Sequence, residues 1–555
     1  MNEITKSITF LKEYKQLKQA VDEGKTPVLA VGLSAIHKAH LAAALGLDTG
    51  RPVLVLTDDD NTANRFAADL RGFSERDIVQ LPSRELVMAD VVGVSRGYEQ
   101  RRLAALDELT EAHFAVASVQ AAAQRTMPPE ALKAAIVSLA TGETAPLDEL
   151  AQSLTRAGYE RCVQVEGTGQ FSIRGGILDV FPPQAEHPYR VEFWDDEIDS
   201  ISTFDVGSQR RLEQCECLRC LPCMESIPAL AKGGAAGLAK AVLALTSTRR
   251  KKQHADLQTN LERDAERLRE TGSLPAADKY MPLIYPEMAT AFDYLPENAI
   301  VLIEDTPRLR DAVRDFHARV ADDVTALLER GEMPPNLGEY ALDFVGVCGV
   351  KRQILRLDSF LNNVAELTPQ HLENFIANQM NAYGGNLDMA SADIRSYTEQ
   401  GRAVAVVCGS ALRCQNMLDA LTDTGLNVKI SDLLPKGGCV NIMEGTLSAG
   451  FEYPDLGLVV MTEGQVLARR KKTQVKKSNR DKVKSYTDLT PGDLVVHEHH
   501  GIGRFIGMER MTVDGSERDF IKIAFAGTDF LYVPATSLDL ISKYIGGGDN
   551  ERVRL

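Results

Sequence analysis

The first part of the chain alternates between short apolar runs and amphipathic stretches, from Pro27 to Ser118. The runs PVLAVGL, RPVLVLT and FAVASVQ have the character of buried strands, whereas AIHKAHLAAAL and NTANRFAADL between them have helical spacing. This alternation predicts a parallel sheet covered by helices. Because such folds bind ligands at the carboxyl ends of their strands, the first strand-to-helix turn is the place to look for a nucleotide.

That turn contains a degenerate phosphate loop. A working loop reads G-x-x-x-x-G-K-[ST], in which backbone N–H groups wrap the phosphates, lysine reaches them and the hydroxyl binds Mg²⁺. In the register that starts at Gly32, the lysine is present as Lys38, but His37 replaces the second glycine and Ala39 replaces the magnesium ligand. The alternative is a strand-turn-helix whose spacing matches by chance. Neither interpretation supports ATP hydrolysis.

A second pattern, FSIRGGILDVFPP from Phe171 to Pro183, has strand character and is preceded by the helical stretch LDELAQSLTRAGY. Gly175 and Gly176 interrupt the strand and predict a bulge or the close approach of another surface. Arg174 stands next to them and is expected to be exposed, and a solvated arginine at a strand edge is the alternative to a functional one. The pattern predicts a hairpin-rich module inserted in the α/β domain.

The remaining chain shows three further patterns. Residues 218–360 return to helical and mixed patterns that we expect to complete the first α/β domain, and residues 361–467 carry a further α/β pattern without a legible role. Residues 469–484, RRKKTQVKKSNRDKVK, carry nine positive charges and one aspartate. They predict a flexible linker, and a weak contact with DNA through this linker is the alternative.

The last seventy or so residues consist of short strand patterns separated by Gly and Asp turns, which predicts a small β-barrel. His497, His499 and His500 fall in this region. A turn between barrel strands explains them better than a metal site, because no other type of ligand lies nearby.

Composition limits the function classes. With 555 residues the chain is expected to form three to five domains, and with no apolar run near ~20 residues and no signal peptide it is expected to be cytoplasmic and without a membrane contact. The net charge of −16 argues against a general nucleic-acid coat. Nine cysteines fit a reducing compartment. Four of them lie too close together for two zinc knuckles: Cys215, Cys217, Cys220 and Cys223.

Two of these regions resemble known domains. FSIRGGILDVFPP with DDEIDSISTFD resembles the small inserted domain that the excision-repair protein UvrB shares with the transcription-repair coupling factor family, where it docks UvrA. HEHHGIGRFIGM with FIKIAFAGTDFLYVPATSLDLISKY resembles the RNA-polymerase-interacting domain of the same family, which is related to the CarD regulators. The combination of both domains with a degenerate phosphate loop is specific to the coupling factor family.

The resemblance implies two sets of contact residues. The UvrA-binding residues would be Arg174, Arg190 and Trp194, and the residues that bind RNA polymerase would be Met511 with the flanking Arg510 and Val513. Trp194 stands where we expect phenylalanine, and a core position in its own sheet is the alternative role. The barrel would pair an edge strand with a strand of the polymerase β subunit, an instance of β-augmentation.

The implied architecture is a multidomain α/β protein. Its expected parts are a helicase-like parallel-sheet domain at 1–120 and 218–360, an inserted UvrA-binding domain at 121–217, an α/β domain at 361–467, a basic linker at 468–486, a Tudor- or SH3-like polymerase-interacting barrel at 487–547 and the start of a further linker at 548–555.

The implied function is that of a monomeric adaptor that binds stalled RNA polymerase and recruits UvrA. We expect no catalytic residues, metal or cofactor in this chain, because ATP and Mg²⁺ belong to a RecG-like motor of the family to which nothing in this sequence corresponds. A UvrB-like, ATP-dependent DNA-damage helicase and a stand-alone regulator of the CarD type are the alternatives.

Overall fold

The structure is a computed structural model that describes residues 2–89, 96–245, 255–335, 337–380, 382–467, 493–497, 501–513, 516–524, 530–534 and 541–543. The chain divides into two compact units, Met1–Leu467 and Ala468–Leu555. Among the helices of the described ranges, none combines the length and the apolar character that crossing a membrane requires.

The strands of the described residues are β1 Val28–Val31, β2 Val53–Thr57, β3 Ile78–Leu81, β4 Phe114–Ser118, β5 Val137–Ala140, β6 Glu160–Arg161, β7 Gln170–Arg174, β8 Ile177–Val180, β9 Tyr189–Trp194, β10 Glu197–Phe204, β11 Arg211–Cys215, β12 Cys217–Cys220, β13 Ile300–Glu304, β14 Gln353–Leu357, β15 His371–Asn374, β16 Asn378–Gln379, β17 Ala403–Cys408, β18 Val428–Ile430, β19 Val440–Glu444, β20 Phe451–Tyr453, β21 Leu458–Thr462, β22 Leu494–His497, β23 Gly501–Val513, β24 Ser516–Ala524, β25 Phe530–Pro534 and β26 Ile541–Lys543.

The α-helices of the same residues are α1 Glu3–Ser7, α2 Lys12–Asp22, α3 Ala35–Thr49, α4 Asp60–Phe73, α5 Gly97–Leu109, α6 Val119–Ala123, α7 Pro129–Ala135, α8 Leu147–Arg156, α9 Gly234–Ala244, α10 Ala255–Thr271, α11 Met281–Ile284, α12 Ala291–Tyr294, α13 Thr306–Glu329, α14 Phe344–Cys348, α15 Leu387–Glu399, α16 Ala411–Asp423 and α17 Glu463–Val466.

The first sheet is parallel and has the strand order β15-β1-β14-β13-β2-β4-β3. Strands β1, β2 and β4 are buried along their whole length, because hydrophobic cores lie on both faces of the sheet, and their continuous apolar sequences reflect this. The predicted parallel sheet is therefore confirmed. Its edge strand β15 lies at 371–374, beyond residue 360 at which we expected the first domain to end.

The inserted sheet, which we define as β6 to β11, has the order β11-β10-β9-β8-β7-β6, and β5 and β12 form a separate antiparallel pair beside it. Its own core extends from Leu139 to Cys223 and includes Leu150 and Leu154 of α8. Helix α6 and Leu132 of α7 belong instead to the core of the first sheet. The inserted sheet thus has a separate core that begins after α7.

The third sheet has the order β16-β20-β21-β17-β19-β18 and a parallel centre. Phe451 and Tyr453 of its strand β20 share a hydrophobic core with Ala39 of α3 and Phe73 of α4. Contacts of this kind join the two α/β parts of residues 1–467 through a common apolar interior.

The second unit contains a five-stranded antiparallel sheet with the order β25-β24-β23-β22-β26. Val495, Phe505, Ile521 and Ile523 are buried in it. The antiparallel strands agree with the predicted β-rich unit, and its closure into a barrel stays a prediction.

Candidate docking surface

The inserted sheet has one apolar face and one polar face, because successive side chains of a strand point to opposite sides. Leu178, Val191 and Ile201 lie in the core beneath α8. The register pairs Asp179 with Arg190 and places both on the opposite side. We call this side, with Arg174, Asp179, Arg190, Glu192 and Trp194, the outer face. All three residues that the resemblance assigns to UvrA binding therefore lie on one surface.

Asp179 is the centre of the outer face. Its carboxylate accepts hydrogen bonds from Arg190 Nε to Oδ1 at 2.7 Å and from Arg190 Nη2 to Oδ2 at 2.9 Å. It also accepts one from Arg174 Nη2 to Oδ2 at 2.7 Å. The Asp179 side chain is only 2% exposed. A buried carboxylate is stable only when it is paired, and here one aspartate on the central strand β8 holds an arginine from each neighbouring strand.

Arg190 is enclosed on several sides. Its guanidinium carbon lies 4.5 Å from the centre of the Phe204 ring. Its remaining hydrogen bonds reach Gln209, through Nη1 to the backbone oxygen at 3.4 Å and through Nη2 to Oε1 at 3.2 Å. The hydrogen bond to Asp179 raises the pKa of Arg190, so the guanidinium stays charged at neutral pH.

Arg174 has a different environment, although it shares Asp179 with Arg190. Its side chain is 50% exposed, compared with 15% for Arg190. Among the described residues its side chain makes one hydrogen bond, to Asp179. About half of its side chain therefore faces solvent.

Trp194 is 81% exposed, so its alternative role as a core residue is wrong. It ends β9, where it pairs with Glu197 across a turn that contains Asp195 at φ 59°. A large indole in water is uncommon unless a partner covers it, because burial of apolar surface stabilises a complex.

The β7–β8 turn lies at the same end of the sheet as Trp194, because Ile177 pairs with Glu192 near the end of β9. Gly175 adopts φ 60° and forms a tight turn with Gly176, so the predicted interruption within a strand is instead a hairpin connection. The predicted close approach is present: Phe193 N donates to Gly176 O at 2.8 Å, and a Cβ at Gly176 would lie 3.1 Å from Phe193 O.

The clustered cysteines have no metal-binding arrangement: the described residues contain no group of three or more His, Cys, Asp or Glu side chains suited to a metal ion. Cys220 and Cys223 are buried in the core of the inserted sheet. Burial raises the pKa of Cys220 to about 12, so it is a neutral thiol at physiological pH.

The turn after β1 is the position of the predicted phosphate loop. Gly32 adopts φ 84°, and a Cβ on it would lie 2.2 Å from the backbone oxygen of Phe375. The chain that follows β15 therefore occupies the space directly against this turn. Ala39 is fully buried in α3 and offers no ligand atom.

The two polar residues of the turn are also engaged within the protein. His37 is buried, its Nδ1 lies 2.8 Å from Ser34 Oγ, and burial lowers its pKa to about 4. Its ring centre lies 5.4 Å from that of Phe451 and 5.2 Å from that of Tyr453. Strand β20 of the third sheet thus covers the residue that stands at the place of the second loop glycine.

Lys38 points into the protein at the carboxyl ends of β13 and β14. Its Nζ lies 3.7 Å from Glu304 Oε1 and 3.4 Å from Ser359 Oγ, and its side chain is almost completely buried. Burial raises the pKa of Glu304, and the positive charge of Lys38 opposes that rise. The lysine thus has an internal carboxylate as its partner.

In the second unit, Arg510, Met511 and Val513 lie on β23. Their backbones pair with Asp519, Arg518 and Ser516 of β24. Strand β22 pairs with β23 only over residues 501–504. From Met508 to Val513 the second side of β23 therefore has no strand partner among the described residues, and this stretch is a sheet edge.

Several sequence-based predictions lie outside the described residues. The basic stretch 469–484 is one of them, as are His499 and His500. His497 lies at the end of β22.

Sequence reasoning missed the residues that support the two arginines. Asp179, Phe204 and Gln209 contact Arg190. Asp179 and Phe204 lie within the motifs that carried the resemblance but were not selected as site residues, and Gln209 lies outside those motifs. One signal was available: Asp179 is a lone charged residue between the apolar Leu178 and Val180, the position of an outward-facing side chain in an alternating strand.

Comparison with known families identifies both regions. Residues 137–225 match the UvrB interaction domain, and residues 489–545 match the CarD-like/TRCF RID domain. The inserted sheet with its outer face falls within the first match, and β22 to β26 fall within the second. The chain thus carries a UvrB interaction domain and a CarD-like/TRCF RID domain.

The chain as a whole is similar to transcription-repair-coupling factors. It is 31% identical to that of Bacillus subtilis (strain 168) over 564 residues, which cover 98% of this chain and 47% of the relative. Those of Staphylococcus epidermidis (strain RP62A) and Staphylococcus aureus (strain USA300) are each 26% identical, over 96% and 98% of this chain and 46% and 47% of their own length. The chain therefore spans about half the length of these relatives.

Proposed function

We propose that this chain is an adaptor of transcription-coupled DNA repair that binds stalled RNA polymerase with its second unit and UvrA with its inserted sheet. The observation that supports this most strongly is the outer face, where Arg174 and Trp194 are exposed on a sheet that matches the UvrB interaction domain. Carrying both docking surfaces on one chain raises the local concentration of one partner near the other.

The outer face has the chemistry of a protein interface. Tryptophan and arginine are the residues that most often dominate the binding energy of such interfaces, because they bury large surfaces and make charge-assisted hydrogen bonds. Trp194 supplies an exposed indole and Arg174 an accessible guanidinium at the same end of the sheet. Arg190, which shares Asp179 with Arg174, is the third residue of the proposed UvrA-docking surface.

The second unit is proposed to bind the β subunit of RNA polymerase by strand addition. Among the described residues no strand pairs with the second side of β23 from Met508 to Val513, and we propose that a strand of the partner adds there, with Arg510, Met511 and Val513 flanking or filling the contact. A methionine suits such a place because its flexible, polarisable side chain adapts to a partner pocket.

We further propose that the turn at Gly32 to Ala39 binds no nucleotide and that this chain hydrolyses no ATP, a reaction assigned instead to the motor region of the family. The proposal is supported by the internal partners of His37 and Lys38 and by the backbone of Phe375 against Gly32. Measured ATP turnover by the purified chain would favour the alternative, a UvrB-like helicase.

Two charge-altering variants test the adaptor. Arg174→Glu should abolish UvrA capture and leave binding of RNA polymerase unchanged, and Met511→Arg should do the reverse. Arg156→Glu is the matched control for the first variant, because Arg156 ends helix α8 on the side of the inserted sheet opposite the outer face. If either of the first two variants lost both partners or neither, the two sites would not be separable as proposed.

A further inference from the structure

The two arginines that share Asp179 differ in how many of their donors are already used. Arg190 makes four hydrogen bonds, two to Asp179 and two to Gln209 of the connection between β10 and β11. An arginine has five N–H donors, so little capacity remains on Arg190. Arg174 makes one such bond, to Asp179, among the described residues.

We infer that Asp179 and Arg190 are positioning residues that orient Arg174, and that Arg174 alone donates the charged hydrogen bonds to a carboxylate of the partner. This inference rests on the proposed function, since it assigns different roles to the residues of the UvrA-docking surface.

The fixed part of the outer face is the Asp179–Arg190 pair. Asp179 binds Arg190 with both oxygens, and the Phe204 ring and Gln209 hold the guanidinium from the other sides. Two parallel hydrogen bonds between a guanidinium and a carboxylate fix the relative orientation of the two groups. The single ammonium group of a lysine cannot reproduce this geometry. The carboxylate is thereby held still, at 2% exposure, beneath the more exposed Arg174.

Arg174 receives its orientation from that fixed carboxylate. One terminal nitrogen, Nη2, is held at 2.7 Å from Asp179 Oδ2. The other donors of a half-exposed guanidinium are then presented to solvent in one arrangement instead of many, which reduces the entropy that binding would otherwise cost.

The acceptor on the partner is a protein carboxylate. A guanidinium fork matches either a carboxylate or a phosphate. However, the exposed Asp195, Asp196 and Glu197 directly follow Trp194, and they would repel the phosphates of a nucleic acid. A folded partner can place one carboxylate against Arg174 and an apolar pocket over Trp194 while keeping its other charges away.

A double-mutant cycle tests the inference. The affinity for UvrA is measured by calorimetry for the whole chain, for Asp179→Asn, for Arg174→Ala and for the double variant. Asp179→Asn should weaken binding about tenfold in the otherwise unchanged chain, the size expected for a charge-assisted hydrogen bond, and should cause no further loss in the Arg174→Ala background. An equal loss in both backgrounds, or unchanged or tighter binding by Asp179→Asn, would overturn the inference.

Arg190→Lys provides a second route if Asp179→Asn fails to fold, which circular dichroism and thermal melting would reveal. The lysine keeps the charge and removes the fork, so UvrA binding should weaken, again only while Arg174 is present. A loss that persists with Arg174→Ala would mean that Arg190 contacts the partner itself. Absence of UvrA binding by the unaltered chain would instead contradict the proposed function and leave no cycle to interpret.

Discussion

The turn from Gly32 to Ala39 and the outer face of the inserted sheet each contain a basic residue that belongs to a sequence motif for binding. The two residues, Lys38 and Arg174, differ in their exposure to solvent. Lys38 is almost completely buried and lies against Glu304, whereas Arg174 is half-exposed and, among the described residues, donates one side-chain hydrogen bond, to Asp179. Both have a carboxylate partner, so pairing alone does not distinguish them. What differs is whether other parts of the chain cover the group.

The covering elements come from far along the sequence. The chain after β15 lies against Gly32, and Phe451 and Tyr453 of β20 pack on His37. No comparable element covers Arg174 or Trp194 among the described residues of 1–467. A motif therefore indicates binding only where its donor groups remain accessible in the folded chain.

The largest effect is expected from a substitution in the covered turn, and it concerns the free energy of unfolding. Gly32→Ala would place a Cβ 2.2 Å from the Phe375 oxygen at φ 84°. Backbone strain and overpacking together should lower the free energy of unfolding by about 4 kcal/mol, measured by urea denaturation. Gly24→Ala is the matched control, because Gly24 has φ 75° and nothing within 4 Å, and it should cost about 1 kcal/mol. Equal losses in the two variants would mean that the turn is not tightly covered.

A somewhat smaller effect, on the affinity for UvrA, is expected from a substitution on the exposed outer face. Trp194→Ala should weaken UvrA binding about 100-fold, or about 3 kcal/mol, because an exposed indole gains its burial only in the complex. The free energy of unfolding should stay unchanged. Phe360→Ala, at a side chain that is 82% exposed in another part of the unit, should affect neither quantity. If Trp194→Ala lowered the free energy of unfolding and left the affinity for UvrA unchanged, the indole would stabilise the fold instead of binding UvrA.

The smallest effect concerns pH and the covered turn. Burial lowers the pKa of His37 to about 4 and of His40 to about 3, and His40 is stacked on Phe73 with its Nε2 3.0 Å from Thr5 O. Both folded-state pKa values lie below the unfolded value near 6.5. As the pH falls below about 6.5, the histidines of the unfolded chain therefore bind protons while those of the folded chain stay neutral, and the free energy of unfolding decreases.

Between pH 7 and 5.5 the two histidines together should reduce the free energy of unfolding by about 2 kcal/mol. Denaturation curves at the two pH values measure this loss. His187→Gln, at an exposed residue in the connection between β8 and β9, should show the same loss as the unaltered chain. A free energy that does not change over this range would show that the histidines are not buried in neutral form.

Sequence reasoning predicted the parts of the fold that local patterns determine. Apolar runs such as VLAV and VLVLT identified the parallel strands, and alternation identified the strands of the inserted sheet. It did not predict that β15 returns to the first sheet or that β20 covers His37, because these contacts join segments more than 300 residues apart.

The candidate site shows the same limit. Arg174, Arg190 and Trp194 were selected by resemblance, and alternation could place them on one face. The role of Asp179 depends on the register that sets it opposite Arg190, and the tight turn at Gly175 depends on where the strands stop pairing. Both are properties of strand pairing, which a single sequence does not determine.

The most direct test of the central claim is whether one chain holds both partners at once. The purified chain is mixed with UvrA and core RNA polymerase, and the molar mass of the eluted complex is measured by light scattering after gel filtration. The adaptor account predicts one species that contains all three proteins, which Arg174→Glu reduces to the chain with polymerase. Mutually exclusive binding, in which UvrA displaces polymerase or the reverse, would contradict it.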